Sequence, residues 1–275
     1  MTEQTRYQII NKHQKSNIMK TTLIITIMLA SAFIRLNGQD AGEISQRAAD
    51  IIDIEAMEMA ATLNIHDHRG NVRTRQVAIA TRTFNGTAKT LIRFLSPADV
   101  RGTSMLVHDH ENGADDMWIY MPALRRTRRI VSSERSASFM GSEFTNADMG
   151  SRNPREFEHK MLGSETVEGR ESWVIESVPL TEQMAEENGY SRMVARVDKE
   201  NYHTYKVEYY DLDGELHRVM EIGDYRRQSA DRYWAFSMEV RNVQNNRRSV
   251  LAVDRFQDGS ELSENQFEVS ALEDF

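Results

Sequence analysis

Met57-Glu58-Met59-Ala60-Ala61-Thr62-Leu63-Asn64-Ile65-His66 is the stretch on which the fold turns. Met57, Met59, Ala61, Leu63 and Ile65 alternate with Glu58, Ala60, Thr62, Asn64 and His66. Successive side chains of a strand point to opposite faces, so this period of two defines a strand with one face buried. Just upstream the period is different. Asp40 and Glu43 have capping-box spacing, and Ile44, Ala48, Ile51 and Ile52 then fall on one helical face. The spacing predicts an amphipathic helix over Ala41 to Ile54.

Downstream, turn signals recur at Arg69-Gly70-Asn71, Asn85-Gly86, Asn112-Gly113, Asp213-Gly214 and Asp258-Gly259. Each lies between segments rich in β-branched or aromatic residues, which is the signature of hairpins. Strands are expected at Val77 to Phe84, Lys89 to Leu95, Ser104 to His110 and Met117 to Pro122. A later series covers Trp173 to Pro179, Met193 to Val197, Tyr205 to Tyr210, Glu215 to Tyr225, Tyr233 to Asn242 and Ser249 to Phe256. Roughly a dozen strands with few helical segments describe a mainly β protein with some α: a single curved antiparallel sheet that must cover one face to shield it from water. The N-terminal helix is one candidate cover. The other is Ser132 to Met149, which has no clean period and reads as a mobile loop or short lid helix.

Residues 19–39 resemble an export signal. Lys20 supplies the positive end, small residues near Gly38 supply a cleavage site, and Thr21 to Ile34 form the apolar run. That run of about 14 residues is shorter than the roughly 20 that span a bilayer, which favours cleavage over anchoring. Met1 to Ile18 reads as an upstream extension, and 40–275 as one domain, periplasmic and soluble after cleavage. Residues 1–39 carry five basic residues and one acidic residue, so the chain from Asp40 has a net charge of −12, against −8 for the whole sequence. Such a balance argues against nucleic-acid binding, which needs a basic face. The absence of cysteine excludes disulfides, thiolate metal sites and a cysteine nucleophile.

Catalytic signals are weak. His66-Asp67-His68 and His108-Asp109-His110 place imidazoles on alternate residues, but a metal site needs three or four convergent ligands, and these pairs belong to different strand ends. Asp211-x-Asp213-Gly214 has its glycine too early for a calcium loop and lies between strands, so a hairpin turn accounts for it. There is no nucleophile elbow, phosphate loop or dinucleotide fingerprint. The reading is non-enzymatic, without cofactor or metal.

Three features suit binding. Trp118, Tyr120 and Pro122 alternate with Met117, Ile119 and Met121, so this strand is either buried on both sides or lines a cavity. Arg125-Arg126-Thr127-Arg128-Arg129 sets Arg126 and Arg128 on one face, suited to an anionic headgroup or an acidic partner if not simply solvated. Met105, Met117, Met121, Met140, Met149 and Met161 concentrate in the central region, where flexible thioethers either fill a core or adapt to apolar ligands.

Phe94-Leu95-Ser96-Pro97, Asp99-Val100-Arg101-Gly102-Thr103, Trp118 to Pro122, Arg126 to Ile130 and Ser138-Phe139-Met140-Gly141-Ser142-Glu143-Phe144 through Asp148 form an ordered series. Together with Tyr209-Tyr210-Asp211-x-Asp213-Gly214 it resembles the outer-membrane lipoprotein-sorting protein family, a LolA-like group of exported bacterial proteins. The resemblance implies a half-open LolA/LolB-like β-barrel with helices on its concave side, and a carrier or chaperone of lipid or lipoprotein acyl chains. Trp118, Tyr120 and Met121 would line the cavity, Phe139, Met140 and Phe144 would gate it, and Arg126 or Arg128 would meet a phosphate. It also implies a membrane exporter of the resistance-nodulation-division type as partner. The alternative is an adaptor of such an exporter without its own cargo.

Overall fold

The computed structural model describes residues 40–273 except 111, 112 and 230, and the expectations for residues 1–39 lie outside them. Helix α1 (Ala41–Asp50) precedes strands β1 (Ala56–His66), β2 (Val72–Phe84), β3 (Thr87–Ser96), β4 (Ser104–His110), β5 (Asp116–Met121) and β6 (Arg126–Ile130). After a long connection come β7 (Phe157–Val167), β8 (Arg170–Pro179), helix α2 (Glu182–Asn188), β9 (Arg192–Asp198), β10 (Thr204–Tyr210), β11 (Leu216–Ser229), β12 (Arg232–Asn242) and β13 (Arg247–Asp258). Short 3-10 turns at Glu264–Phe267 and Val269–Glu273 follow.

All of these strands belong to one antiparallel sheet in the order β6-β5-β4-β3-β2-β1-β13-β12-β11-β10-β9-β8-β7. Two meanders, β1–β6 and β7–β13, are therefore joined by pairing of the first strand with the last, with Leu63 opposite Leu251. One consequence is topological. β6 and β7 are consecutive in sequence yet form the two edges of the sheet, so the connection Val131 to Glu156 must cross from one edge to the other. Thirteen strands laid flat would be roughly 57 Å wide at about 4.8 Å per strand. The connection spends much of its length in 3-10 turns at Ser132–Glu134, Ala147–Met149 and Pro154–Glu156, so the sheet has to bend toward it. Arg135 records that bend: it bonds Asp115 at the start of β5 at 2.7 Å and approaches Glu187 of α2, near the far edge, at 4.0 Å. We call the face crossed by this strap the inner face.

The period of two assigns the faces. Met57, Met59, Ala61, Leu63 and Ile65 of β1 are all buried and belong to one large cluster, with Val77, Ile92, Phe94, Met105, Met117, Val207, Met220 and Val240. This is the inner face. Helix α1 covers one part of it, with Ala41 and Ile44 buried against Ile175 and Val197. Its last expected turn does not form: the helix stops at Asp50, and the Ile51 carbonyl instead accepts the Tyr233 N–H from β12 at 2.8 Å. On the outer face, the C-terminal segment closes over Leu91 and Leu106 with Leu262, Phe267 and Leu272. Arg82 and Arg93 donate to the Leu262 and Ala271 carbonyls at 2.7 Å each, and Lys89 pairs with Glu264 at 2.8 Å.

Three elements are not among the strands and helices expected from sequence: β6, whose arginine cluster stands out for its charge, β7 and α2. β7 is an edge strand whose pattern is broken by a register shift at Gly163 and by exposed Glu158, Lys160 and Leu162. α2 is short, capped by the Thr181 side chain, which accepts the Met184 N–H, and closed by Gly189 at φ +76°. A Cβ at Gly189 would lie 2.6 Å from the Ser136 Cβ, so glycine is needed there both for the left-handed cap and for close approach to the strap.

Phe267 has no exposed surface. Phe267→Ala is expected to cost about 3–5 kcal/mol in urea unfolding and to raise hydrogen exchange over 260–273. A loss below about 1 kcal/mol would show that this segment is not part of the folded core.

Candidate functional site

The strap is built by local turn chemistry. Ser138 and Thr145 form an isolated antiparallel bridge, and the Phe139 N–H donates to the Phe144 carbonyl at 2.8 Å. Met140 and Gly141, both at positive φ, turn the tip. Ser142 Oγ closes it by donating to the Phe139 carbonyl at 2.7 Å. Beyond the tip, Asp148 accepts the Thr145 N–H at 2.8 Å. Of the two expectations for Ser132 to Met149, a loop or a short lid helix, the segment is closer to the loop: it holds short 3-10 turns at Ser132–Glu134 and Ala147–Met149 and no α-helix among the described residues.

Arginines of the inner face hold the strap down. Arg75 of β2 donates to the Met140 carbonyl, Arg247 of β13 to the Gly141 carbonyl at 2.8 Å, and Arg218 of β11 to the Glu143 carbonyl at 3.0 Å. Arg218 also pairs with Asp148 at 2.7 Å, both side chains being almost fully buried. Glu143 meets Arg247 at 3.0 Å and accepts from Asn242 at 3.0 Å, while its N–H donates to Ser249. Burial alone would raise the Asp148 carboxyl, but the Arg218 charge and hydrogen bond together with the Thr145 amide hold it below the usual carboxylate range. At the lip, Asp115 and Glu156 are pushed up, first by burial and then by neighbouring carboxylates.

The expected site residues fall into two groups on opposite sides of the sheet. Phe139 and Phe144 are buried in the strap, with the Phe139 ring 5.6 Å from that of Phe94, and Met140 and Met121 pack on the same inner cluster. Arg126 and Arg128 face the same way, opposite Met121 and Ile119; Arg128 pairs with Glu134 at 2.6 Å and Arg126 is exposed. Trp118 and Tyr120 point to the outer face, where they pack with Leu106, Phe267 and Leu272, and His108 lies 5.0 Å from the Trp118 ring. The grouping of Trp118 and Tyr120 with Met121 on one cavity wall is therefore corrected. Odd and even positions of β5 serve different cores.

Of the histidine pairs, His66 ends a strand in the middle of the sheet, while His108 and His110 face outward, one to the Phe267 carbonyl and the other to Asp116 at 3.2 Å. Among the described residues no group of three or more His, Cys, Asp or Glu is arranged to hold a metal. The Asp211 turn satisfies its carboxylate with the Asp213 and Glu215 amides.

The open part of the inner face lies on β11–β13. Ile222, Trp234, Met238, Leu251, Val253 and Phe256 pack against the core but remain partly accessible, and the buried Trp234 indole N–H has no hydrogen-bond partner among the described residues. Their alternation along strands was legible. That they stay uncovered was not, because it depends on where α1 and the strap end. Beside this floor, Arg152 donates to the Tyr209 hydroxyl at 2.9 Å, and that hydroxyl is 4.0 Å from the Met220 sulfur.

The open, curved antiparallel sheet is LolA-like, a fold shared with proteins of known structure. The fold matches a LolA superfamily protein from Nitrosomonas europaea with a TM-score of 0.66 at 16% identity, over 84% of this chain and 98% of that one. The similarity is greater to a domain named for outer membrane lipoprotein sorting from Vibrio parahaemolyticus, with a TM-score of 0.80, 29% identity, and 86% and 100% of the two chains covered. It is comparable to a DUF1329 family protein from Desulfovibrio piger, with a TM-score of 0.79, 27% identity, and 84% and 97% covered. No curated protein matches. Residues 86–274 match the model of a family described as "-like: Uncharacterized protein", and the chain belongs to that family.

Asp148→Ala should strand the buried Arg218 charge and destabilise the protein by about 3–5 kcal/mol at neutral pH. Because the folded pKa of Asp148 is depressed, its contribution is present above the unfolded value and disappears as pH falls through the folded one. Wild type minus Asp148→Asn should therefore show a stability difference that shrinks on acidification. A difference independent of pH would remove Asp148 as the source.

Proposed function

We propose that this protein is a periplasmic, non-enzymatic carrier or chaperone for lipid or lipoprotein acyl chains. The observation that carries the reading is the inner face itself: a partly accessible apolar floor, Ile222 to Phe256, beside a strap held by side-chain contacts rather than by a continuous strand ladder. Each buried methylene contributes about 0.8 kcal/mol, so a dozen or so sheltered methylenes outweigh the several kcal/mol of lost freedom on binding. Phe139, Met140 and Phe144 act as the gate, moving with the strap when the arginine contacts release. The export-signal reading of residues 19–39 supports delivery to the periplasm. The likeness to a domain named for outer membrane lipoprotein sorting supports an acyl cargo. Among the described residues no helix is long and apolar enough to cross a membrane.

A second reading is favoured by the β6 edge. It ends the sheet, and Arg125 and Arg126 are exposed there, which suits an acidic partner such as a membrane exporter of the resistance-nodulation-division type. In that reading the protein is an adaptor without cargo.

Native mass spectrometry with lipid extraction, on protein released from a periplasm without detergent, should show a bound acyl mass. The mass should be lost in Met238→Glu/Leu251→Glu while circular dichroism retains the sheet. A clean apo mass after lipid challenge would overturn the carrier, and exporter capture abolished by Arg125→Ala/Arg126→Ala would then establish the adaptor.

A further inference from the structure

The first meander, β1–β6, presents the same two residue types at every turn of one end. Alternate turns of an antiparallel meander lie at the same end of the sheet, so β1–β2, β3–β4 and β5–β6 form a row, each two strands or about 10 Å from the next. Each carries an aliphatic side chain in water: Val72 is 49% exposed, Leu95 39%, and Leu124 in the β5–β6 turn 64%. Each also carries exposed arginine: Arg69 and Arg73 beside Val72, Arg101 after Leu95, Arg125 and Arg126 after Leu124. The two turns at the opposite end, β2–β3 at Asn85-Gly86 and β4–β5 before Asp116, hold neither type among the described residues.

Charge sets this row apart from the rest of the molecule. Its five arginines stand against Asp67 and Asp99, a net of +3, in a chain that is acidic overall. Asp67 is engaged by its own turn, accepting the Arg69 and Asn71 amides at 2.8 and 2.9 Å. Arg128 and Arg129 pair with Glu134 and Asp116, whereas Arg125 and Arg126 have no ion pair among the described residues. The second meander continues the aliphatic row but not the basic one. Its β12–β13 turn exposes Val243 beside uncharged Gln244, Asn245 and Asn246, and its β10–β11 turn exposes Leu212 between Asp211 and Asp213.

Single aliphatic side chains about 10 Å apart, with arginines between them, do not form the contiguous patch with an aromatic centre that a protein interface uses. They match the boundary of an anionic bilayer, where aliphatic side chains enter the acyl region and guanidinium groups meet phosphate. Independently of whether the protein carries cargo, we propose that this end of the first meander docks on an anionic membrane surface, with Val72, Leu95 and Leu124 inserted and Arg69, Arg125 and Arg126 on the phosphates. The remainder of the chain is acidic and is repelled by the same surface, which selects the orientation.

The test is flotation of the full mature protein with vesicles of phosphatidylethanolamine and phosphatidylglycerol, against vesicles of phosphatidylcholine alone. The wild type should bind the anionic vesicles about 10-fold or more tightly, and raised salt should remove the difference. Leu95→Ser/Leu124→Ser and Arg125→Ala/Arg126→Ala should each weaken that binding about 10-fold or more. Leu162→Ser, at an exposed aliphatic position on β7, should leave it unchanged. Met238→Glu/Leu251→Glu, which alters the cargo floor, should still dock, so this surface and the carrier reading fail separately. Absence of vesicle binding by the wild type, or equal binding to both vesicles, overturns the proposal and needs no variant to fold. A loss shared by Leu162→Ser or by Met238→Glu/Leu251→Glu overturns it too. Exporter capture through Arg125 and Arg126 without vesicle binding assigns these arginines to a protein partner and likewise overturns the membrane surface.

Discussion

Pairing of the first strand with the last is the constraint on which the rest of the molecule depends. Once Leu63 stands opposite Leu251, β6 and β7 are driven to the two edges of the sheet, and the chain between them has to cross its face. A crossing link of that length cannot lie over a flat sheet and also contain turns, so the sheet bends and acquires an inner face. The strap and the apolar floor both follow from one ladder of backbone hydrogen bonds.

The strap is held by buried charge, which has a different physical character from the core beneath it. Arg218, Asp148 and Glu143 are all withdrawn from water, and such pairs roughly offset their own desolvation while becoming costly when one partner is removed. A contact of this kind adds little net stability, yet it fixes the register of the strap, because carbonyls of Met140, Gly141 and Glu143 each meet a different arginine. Apolar packing of Phe139 on Phe94 supplies adhesion, and the arginines supply position. The outer face uses the same device more conservatively, with Arg82 and Arg93 on carbonyls of the C-terminal segment over a fully buried Phe267.

Much of the sheet was legible because period-two burial is a local property of each strand. β4 appears at its expected limits, Ser104–His110, and other strands extend by a few residues. β7 escaped notice because an edge strand exposes Glu158, Lys160 and Leu162 and shifts register at Gly163, so its alternation is interrupted. The site was legible in part. Phe139 and Phe144 do lie on the inner face, but Trp118 and Tyr120 do not, since the sequence of β5 is apolar on both sides and nothing local says which side meets the C-terminal segment.

The sequence by itself determined that the protein is an antiparallel sheet with one N-terminal helix, lacking cysteine and acidic beyond residue 39, because hairpin signals, alternation and composition are written in neighbouring residues. Only the tertiary structure decided which strands became edges, which face became the inner one, and which arginines hold the strap. Those outcomes depend on contacts between residues far apart in the chain, such as Arg218 with Asp148 and Arg75 with Met140, and no local pattern encodes them.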